Sequence, residues 1–420
     1  MIRALTPVAP LLLGVAILLT GQGLQGTLLP VRAALEGFST FSIGLMGGAY
    51  FLGFTLGCLR GSVLVRRVGH IRVFAAMTAL ASASPLLHGL VVEAWLWLLL
   101  RLVSGYCFAV LYVVIESWLN EKATNQNRGL VFSAYTLITL TVLAAGQMML
   151  LLYDPREMAL FAIASAIVSI AALPVVLFVV SSPAQPETRV KLDIRRLWKI
   201  SRVGLLGCLA AGLANGSFWA LAPVFVAGYH VDISLAAWFM TAAVLGGALG
   251  QWPLGRFSDR VDRRWVIVFS AFAGVVVGLA IWLFAGVSII IMMLLSAAWG
   301  AVAFPIYAVS VAHANDHASS DEYVMVSSGL LLMYGVGAIV GPFLAPAAMK
   351  FVGPGGLYLF GALVHTVLAM YVVLRIPRQA TAPEEEHLPF ADSLASTQTA
   401  SVIYEDELES EAEKESGRAA

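Results

Sequence analysis

Arg101 is the residue of this chain best suited to chemistry, because it lies inside an apolar stretch where a charge is costly. A lone cation within a membrane helix costs roughly 2.5–3.5 kcal/mol on insertion scales, so it should face a cavity or a partner. At about 100° per residue, Arg101, Gly105, Tyr112 and Glu116 fall on one helix face. We therefore predict that Arg101 lines a cavity, where it binds an anionic group of a solute or controls a proton site.

Two further groups could take up protons. Glu116 is about 22 Å from Arg101 along a straight helix, too far for the two to pair. We expect it to act in gating or coupling, with a loop anchor as an equal alternative. His365, in the last apolar stretch, is the deep group that titrates near neutrality, with a packing role as the alternative. Coupling to a proton or another ion and facilitated diffusion both stay open.

Uncharged polar and aromatic side chains accompany Arg101 on other apolar stretches. The predicted substrate cavity consists of Gln22, Gln25, Arg101, Tyr112, Asn215, Trp219, Trp299 and Tyr307. Such a set suits a moderately polar small organic solute. Any single member could equally hold two helices together by hydrogen bonding, but the set as a whole favours a cavity.

The elements that carry these residues are long apolar segments. Of 420 residues, 60% are hydrophobic and 12% charged, and the mean hydropathy is +0.86, whereas soluble domains have about 25% charged residues. Spanning a bilayer takes about 20 apolar residues, and strand-like alternation is absent, so we predict helices and not a barrel. The twelve predicted stretches are 8–30, 41–64, 72–92, 94–118, 129–151, 157–180, 201–228, 233–255, 264–284, 286–311, 323–346 and 355–375.

The first half of the chain is repeated, weakly, in the second. At a shift of 193 residues the matched pairs include Pro30 with Pro223, Gly53 with Gly246 and Gly57 with Gly250. At a shift of 195 they include Gly105 with Gly300, Tyr112 with Tyr307 and Gly146 with Gly341. Internal repeats in a very hydrophobic chain are typical of transporters built from two related halves.

The predicted fold is therefore an all-α membrane protein with twelve transmembrane helices in two pseudo-symmetric six-helix bundles. The predicted divisions are an N-terminal bundle over residues 1–180, a cytoplasmic linker over 181–200, a C-terminal bundle over 201–376 and a disordered acidic tail over 377–420. The tail has either a regulatory role or none beyond solvation.

Lysine and arginine are distributed very unevenly between the loops. With both termini in the cytoplasm, 21 of these residues fall on the cytoplasmic side and 3 outside. Cytoplasmic loops are enriched in such residues, so this orientation is the predicted one. The chain is therefore expected to be a multi-pass membrane protein with both termini in the cytoplasm.

A Gly-rich helix end and a charged loop run together from residue 250 to 264, with the sequence GQWPLGRFSDRVDRR. This segment resembles motif A of the major facilitator superfamily. We expect Gly250 and Gly255 to permit close helix packing, and Asp259 to pair with an arginine and latch the helix ends. The predicted gating residues of this loop are Asp259, Arg260 and Arg263.

The equivalent segment of the first half departs from that motif. Arg66 occupies the position of the motif's aspartate, while Arg67 and Gly69 fit the pattern. A carboxylate latch is thus supported for the second half and doubtful for the first. Arg66 could instead bind helix carbonyl groups or anionic lipid.

Arg101 and Gly105 together resemble motif B of the same superfamily, and the segments around Glu116 and Gln251 resemble its bacterial YcaD-type branch. The resemblance covers residues 1 to about 376 and implies two six-helix bundles around a central cavity that works by alternating access. The resemblance therefore implies a secondary transporter in the bacterial inner membrane, for a small organic solute of unknown identity and direction.

We expect no enzyme activity, no cofactor and no metal site. The expected partners are the solute and membrane lipid, without nucleic acid, and the protein is expected to be monomeric. The alternative is a non-transporting membrane sensor or scaffold with the same fold that signals through its acidic tail.

Overall fold

The computed structural model describes residues 8–123, 128–178, 193–230, 232–319 and 322–378. Within them, twelve helices are long and apolar enough to cross a membrane, which confirms the predicted number. They are α1 Ala9–Leu35, α2 Thr40–Val68, α3 His70–Leu90, α4 Ala94–Lys122, α5 Arg128–Met148, α6 Ala159–Ile170 with a second segment Ala172–Phe178, α7 Arg202–Ala227, α8 Ser234–Ser258, α9 Arg263–Phe284, α10 Ile289–Ala303 with a second segment Pro305–Asn315, α11 Tyr323–Val352 and α12 Gly356–Arg375.

Two of the twelve helices are interrupted. In α10 the break falls at Phe304, directly before Pro305, whose ring nitrogen has no hydrogen to donate to the preceding turn. In α6 the break falls at Ala171, three residues before Pro174. A short 3₁₀ turn, Met149–Leu152, follows α5.

Several helices run beyond their predicted ends, because the apolar pattern ends before the helix does. The end of α4 lies at Lys122 and not at residue 118, and the end of α2 lies at Val68 and not at residue 64. The added turns carry arginine, lysine or glutamate, which stay helical while their charged groups reach towards water.

Both halves pack their helices in the same pairs. The pair α2 and α4 corresponds to α8 and α10, α1 and α5 to α7 and α11, and α3 and α6 to α9 and α12. Between the halves, α2 packs against α11 and α5 against α8. This arrangement is what a pseudo-twofold axis between two related bundles produces.

Repeated glycines make these pairings close. A methyl group added at Gly53 would overlap the carbonyl oxygen of Leu102 on α4, and one added at Gly246 would overlap that of Ala297 on α10. The same correspondence relates Gly146, which lies against Thr20, to Gly341 against Leu213. Helix backbones touch at these points, so only glycine fits.

The two ends of the bundle differ in how the halves meet. The end where α1 finishes and α2 begins is called the outer end, and the opposite end the inner end. A buried apolar cluster at the outer end combines residues of both halves, including Leu24, Leu28, Phe218 and Phe225. Among the described residues, the buried clusters towards the inner end draw on one half each.

Only the last part of the predicted linker is described. It forms the short helix Ile194–Ile200, which packs through Leu197 against the C-terminal half. Arg196 Nε lies 2.6 Å from Glu322 Oε1, next to the start of α11. The rest of the linker and the predicted acidic tail from residue 379 lie outside the described residues.

Candidate functional site

A polar cluster joins α1, α2 and α4 near the middle of the N-terminal half. The amide nitrogen of Gln22 donates to the hydroxyl oxygen of Tyr50 over 2.9 Å. The Tyr112 hydroxyl donates to the amide oxygen of Gln22 over 3.1 Å. Gln22 therefore uses both ends of its carboxamide to tie together tyrosines of two other helices.

Arg101 lies on the other side of Tyr50. Its guanidinium carbon is 4.2 Å from the centre of the Tyr50 ring, a cation–π contact. Arg101 is partly buried, and no hydrogen bond or ion pair joins it to another described residue. The ring contact leaves the N–H donors of the guanidinium available. The structure thus connects Arg101 and Tyr112 through Tyr50 and Gln22.

The C-terminal half holds a corresponding cluster. Asn215 in α7 occupies the position equivalent to Gln22 and lies within hydrogen-bonding reach of Tyr334 in α11. The rings of Tyr334 and Tyr307 are 4.8 Å apart between centroids. Asn215 is 4% exposed, and its side-chain oxygen has no hydrogen-bond partner among the described residues. That oxygen is an acceptor without a donor.

The remaining predicted cavity residues have different surroundings. Trp219 is partly buried and stacks on Phe304 with ring centroids 5.6 Å apart. Gln25 is buried, and its amide nitrogen has no acceptor among the described residues.

Trp299 packs inside the C-terminal half. It is buried, and its ring lies 5.1 Å from that of Tyr358 and 5.2 Å from that of His365. His365 is fully buried in α12, and neither ring nitrogen has a hydrogen-bond partner among the described residues. This arrangement of α10 and α12 is typical of a packed core.

Glu116 is buried on the inner side of these clusters. The Tyr135 hydroxyl of α5 donates to Glu116 Oε1 over 3.4 Å. Tyr112 and Tyr307, one from each half, both lie within electrostatic range of its carboxyl group. Glu116 therefore stands where the two halves approach one another, which sequence spacing alone did not indicate.

The last turn of α2 contains Arg66 and Arg67, and Gly69 is the single residue between α2 and α3. Gly69 has φ +92°, a conformation that favours glycine, and it ends α2 and begins α3 within one residue. Arg67 is exposed and Arg66 is partly buried. The glycine of this motif copy thus serves the turn itself.

The equivalent loop of the second half is built around Arg263. Its Nε lies 2.6 Å from Asp316 Oδ2 at the end of α10, and both side chains are almost fully buried. Its Nη1 lies 3.4 Å from Asp259 Oδ1 and 3.2 Å from the Ser258 hydroxyl. The predicted pairing of Asp259 with an arginine is present, but the shorter and more deeply buried contact is with Asp316.

Asp262 replaces the glycine that the motif has at this position. It begins α9 by accepting from the Arg264 amide over 3.0 Å, and its carboxylate also accepts from Arg264 Nε over 2.9 Å. Burial raises the pKa of Asp262, but the hydrogen bonds from Arg264 outweigh it and hold the pKa below the ordinary value of 3.8. Asp262 therefore stays charged near neutral pH.

The other residues of that motif lie on α8 and just after it. A methyl group at Gly250 would overlap the carbonyl oxygen of Ala301 on α10, as predicted for a close helix contact. Gly255 is buried near the end of α8, and Arg260 is exposed.

Three residues of these clusters were missed in the sequence. Tyr50, Tyr334 and Asp316 stand in segments where nothing in the spacing distinguishes them from other tyrosines or loop acids. Their importance follows from which helices become neighbours. The pairing of α7 with α11 would have pointed to Tyr334. No group of three or more potential metal ligands occurs within the described ranges.

The sequence model of the Major Facilitator Superfamily matches residues 11–228 and, overlapping, residues 204–403. The uncharacterized MFS-type transporter YcaD of Escherichia fergusonii is 28% identical over 379 residues, which cover 90% of this chain and 97% of that protein. Its counterpart in Escherichia coli is 27% identical over 380 residues, with the same coverage.

Solved structures share the fold. The nucleoside transporter NupG superposes with a TM-score of 0.72 at 15% identity, over 88% of this chain and 98% of that one. A bacterial homologue of the human lysosomal transporter Spinster gives 0.65 at 16% identity, over 94% of this chain and 98% of that one. At such identities the likeness concerns the fold alone.

Proposed function

Since the chain belongs to the major facilitator superfamily, a family of solute transporters and not of enzymes, we propose that it moves a small organic solute across the bacterial inner membrane by alternating access. Twelve helices make it a multi-pass membrane protein.

The observation that carries the proposal is the pair of polar clusters at equivalent places in the two halves. Gln22 with Tyr112, and Asn215 with Tyr307 and Tyr334, lie near the middle of their helices. A site made of two such clusters changes its exposure when the halves rock, because each half carries its own share of the binding groups.

The apolar cluster at the outer end supports an inward-facing state. Leu24 and Leu28 of one half and Phe218 and Phe225 of the other are buried in one cluster there. Towards the inner end, the described clusters stay within their own halves. Together with the cytoplasmic placement that the lysine and arginine distribution predicts for the arginine-rich loops, this arrangement supports a site reached from the cytoplasm.

Of the two predicted coupling residues, we propose Glu116 as the proton-carrying group. It is buried, accepts from Tyr135 of its own half and lies within electrostatic range of Tyr307 of the other half, so a change in its charge would act on both halves. His365 packs within one half only. Nothing on the described residues favours the sensor or scaffold alternative.

The test is uptake by purified protein in proteoliposomes. Vesicles are incubated with a defined mixture of sugars, amino acids, organic acids and nucleosides, and retained solutes are identified by mass spectrometry. We expect at least one solute to be retained above the level of vesicles that contain a double variant, Gln22→Leu with Asn215→Leu. Equal retention by both proteins for every solute would contradict the proposal.

A further inference from the structure

We propose that the solute is a small organic anion, whose negative group binds Arg101 and whose hydrogen-bond donor binds the side-chain oxygen of Asn215. This inference rests on the proposed function, since it names the class of solute that the same site takes.

No anionic side chain of the described residues pairs with Arg101. The residue lies on α4, seven positions from its outer end, or about 10 Å into the helix at 1.5 Å per residue. Among the described residues its close partner is the face of the Tyr50 ring, and it forms neither an ion pair nor a hydrogen bond. A partly buried guanidinium at that depth can bind a carboxylate in bidentate fashion.

Among the described residues, no carboxylate lies next to Arg101. The described residues within electrostatic range of it are Tyr50 and His88, and neither side-chain type is an anion near neutral pH. Glu116, on the same helix, is about 22 Å away along the axis and accepts from Tyr135 instead. A solute with one negative group would complete the charge balance.

Asn215 lacks a donor. Its side chain is 4% exposed, and the oxygen has no hydrogen-bond partner among the described residues. An unsatisfied buried acceptor is costly, so a ligand that donates to it gains from the contact. A hydroxyl or amino group on the solute meets this need. Gln22, the equivalent residue of the other half, has its oxygen already occupied by Tyr112.

The surroundings favour an organic anion over an inorganic one. Each group is accompanied by aromatic rings: Tyr50 faces Arg101, while Tyr334 lies next to Asn215 and contacts the Tyr307 ring. Aromatic rings stabilise the apolar body of an organic molecule, which an inorganic anion does not have.

The test compares carboxylates with their neutral amides. Purified protein in nanodiscs at pH 7.5 is titrated with 4-hydroxyphenylacetate, lactate and 4-aminobenzoate, and with the corresponding primary amides, chloride and inorganic phosphate. Binding is measured by thermal shift and by calorimetry. At least one carboxylate should bind at least about 10-fold more tightly than its amide, since a charged hydrogen bond is lost in the amide.

Variants then assign the contacts. Arg101→Gln should weaken binding of that carboxylate about 10- to 100-fold, and Arg101→Lys should retain part of the affinity because it keeps the charge. Asn215→Leu should weaken the hydroxylated or aminated acid and leave its analogue without that donor group unchanged. Size-exclusion profiles of Arg101→Lys and Arg101→Gln show whether the variants are folded.

Several results would overturn the inference: amides that bind as tightly as acids, no carboxylate of the series that binds, tighter binding of chloride or phosphate, or unchanged binding in Arg101→Gln. Uptake by proteoliposomes separates this inference from the proposed function. Uptake of neutral solutes alone would reject the anion class and keep the transporter. Anion binding without uptake of any solute would reject the transporter and keep the anion site.

Discussion

Gln22 and Asn215 are the same position of the repeat, 193 residues apart, and each meets a tyrosine of its own half. Gln22 accepts from Tyr112 and donates to Tyr50, so both its oxygen and its nitrogen have partners. Within the described ranges, the side-chain oxygen of Asn215 has no donor. The duplication has therefore preserved a carboxamide at both places, while the surrounding contacts have diverged.

Replacing either carboxamide by leucine should remove transport without unfolding the protein. The shape is nearly kept, but Gln22→Leu leaves two tyrosine hydroxyls without their partner, at a cost of about 1–3 kcal/mol each when buried. We expect uptake to fall at least about 10-fold in either variant, by comparison with wild type at equal protein density. Uptake within twofold of wild type would contradict a role in the site.

Alanine at Gly53 or Gly246 should destabilise the protein, because the new methyl group meets a backbone carbonyl that cannot turn away. Overpacking of this kind costs about 1–3 kcal/mol, and both halves should respond alike. The measurement is the thermal midpoint in detergent. Gly26→Ala is the matched control, since nothing lies within 4 Å of the added methyl group, and it should leave the midpoint equal or higher.

The contact between α2 and α11 at the outer end should open when a methyl group is added at Gly44. A methyl group at Gly44 would overlap the carbonyl oxygen of Pro342 on the other half. Spin labels are placed at Glu93 and Ser288 at the outer end, and in a second protein at Arg72 and Trp265 at the inner end, with Cys58, Cys107 and Cys208 replaced.

In Gly44→Ala, electron–electron distance measurements should show a longer outer distance and a shorter inner one, as rocking of two rigid halves requires. Gly61→Ala, whose added methyl group makes only ordinary contacts within the N-terminal half, is the control. If both distances lengthen together, the halves separate instead of rocking.

Asp316→Asn should be far more damaging to stability than Asp259→Asn. Asp316 and Arg263 are both buried, and breaking such a pair costs about 3–5 kcal/mol. Asp259 is 36% exposed, so its contact with Arg263 contributes at most about 1 kcal/mol. We expect Asp259→Asn to unfold at nearly the wild-type temperature and to slow counterflow exchange more than solute binding. Equal thermal midpoints in the two variants would contradict this ranking.

The contact between the linker helix Ile194–Ile200 and the start of α11 should depend on pH. The hydrogen bond from Arg196 holds the pKa of Glu322 below its ordinary value of 4.5. Because the pKa of Glu322 is lowered in the docked state, its ionised carboxylate stabilises docking of the helix at pH values above 4.5. That stabilisation is lost as the pH falls through the lowered pKa. A spin label at Lys199 should therefore become mobile below pH 4.5 in wild type, and at every pH in Glu322→Gln. A label with constant mobility across that range would contradict the contact.

The repeat and the helix number could be predicted because both depend on patterns along the chain. Gly53, Gly105, Gly246 and Gly300 stand out as matched glycines in the sequence, and each makes a close helix contact in the structure. Long apolar runs likewise identify the spans, since the bilayer sets a minimum length.

The composition of the site was harder to predict, because it depends on which helices become neighbours. Arg101 was recognisable as a buried cation, but its partner Tyr50 comes from α2, 51 positions earlier. Asp316 follows α10 and meets Arg263 only because α9 begins at the same end of the bundle at which α10 ends. Trp299 has the residue type of a cavity wall, yet the rotation of α10 turns its ring towards α12.

The apolar cluster shared by the two halves at the outer end also bears on kinetics. Turning outward would separate Leu24 and Leu28 from Phe218 and Phe225 and wet surfaces that are now dry. An empty carrier should accordingly rest with its entrance towards the cytoplasm. For either direction of transport, the turn of the empty protein from inward-facing to outward-facing would then be the slow step of each cycle.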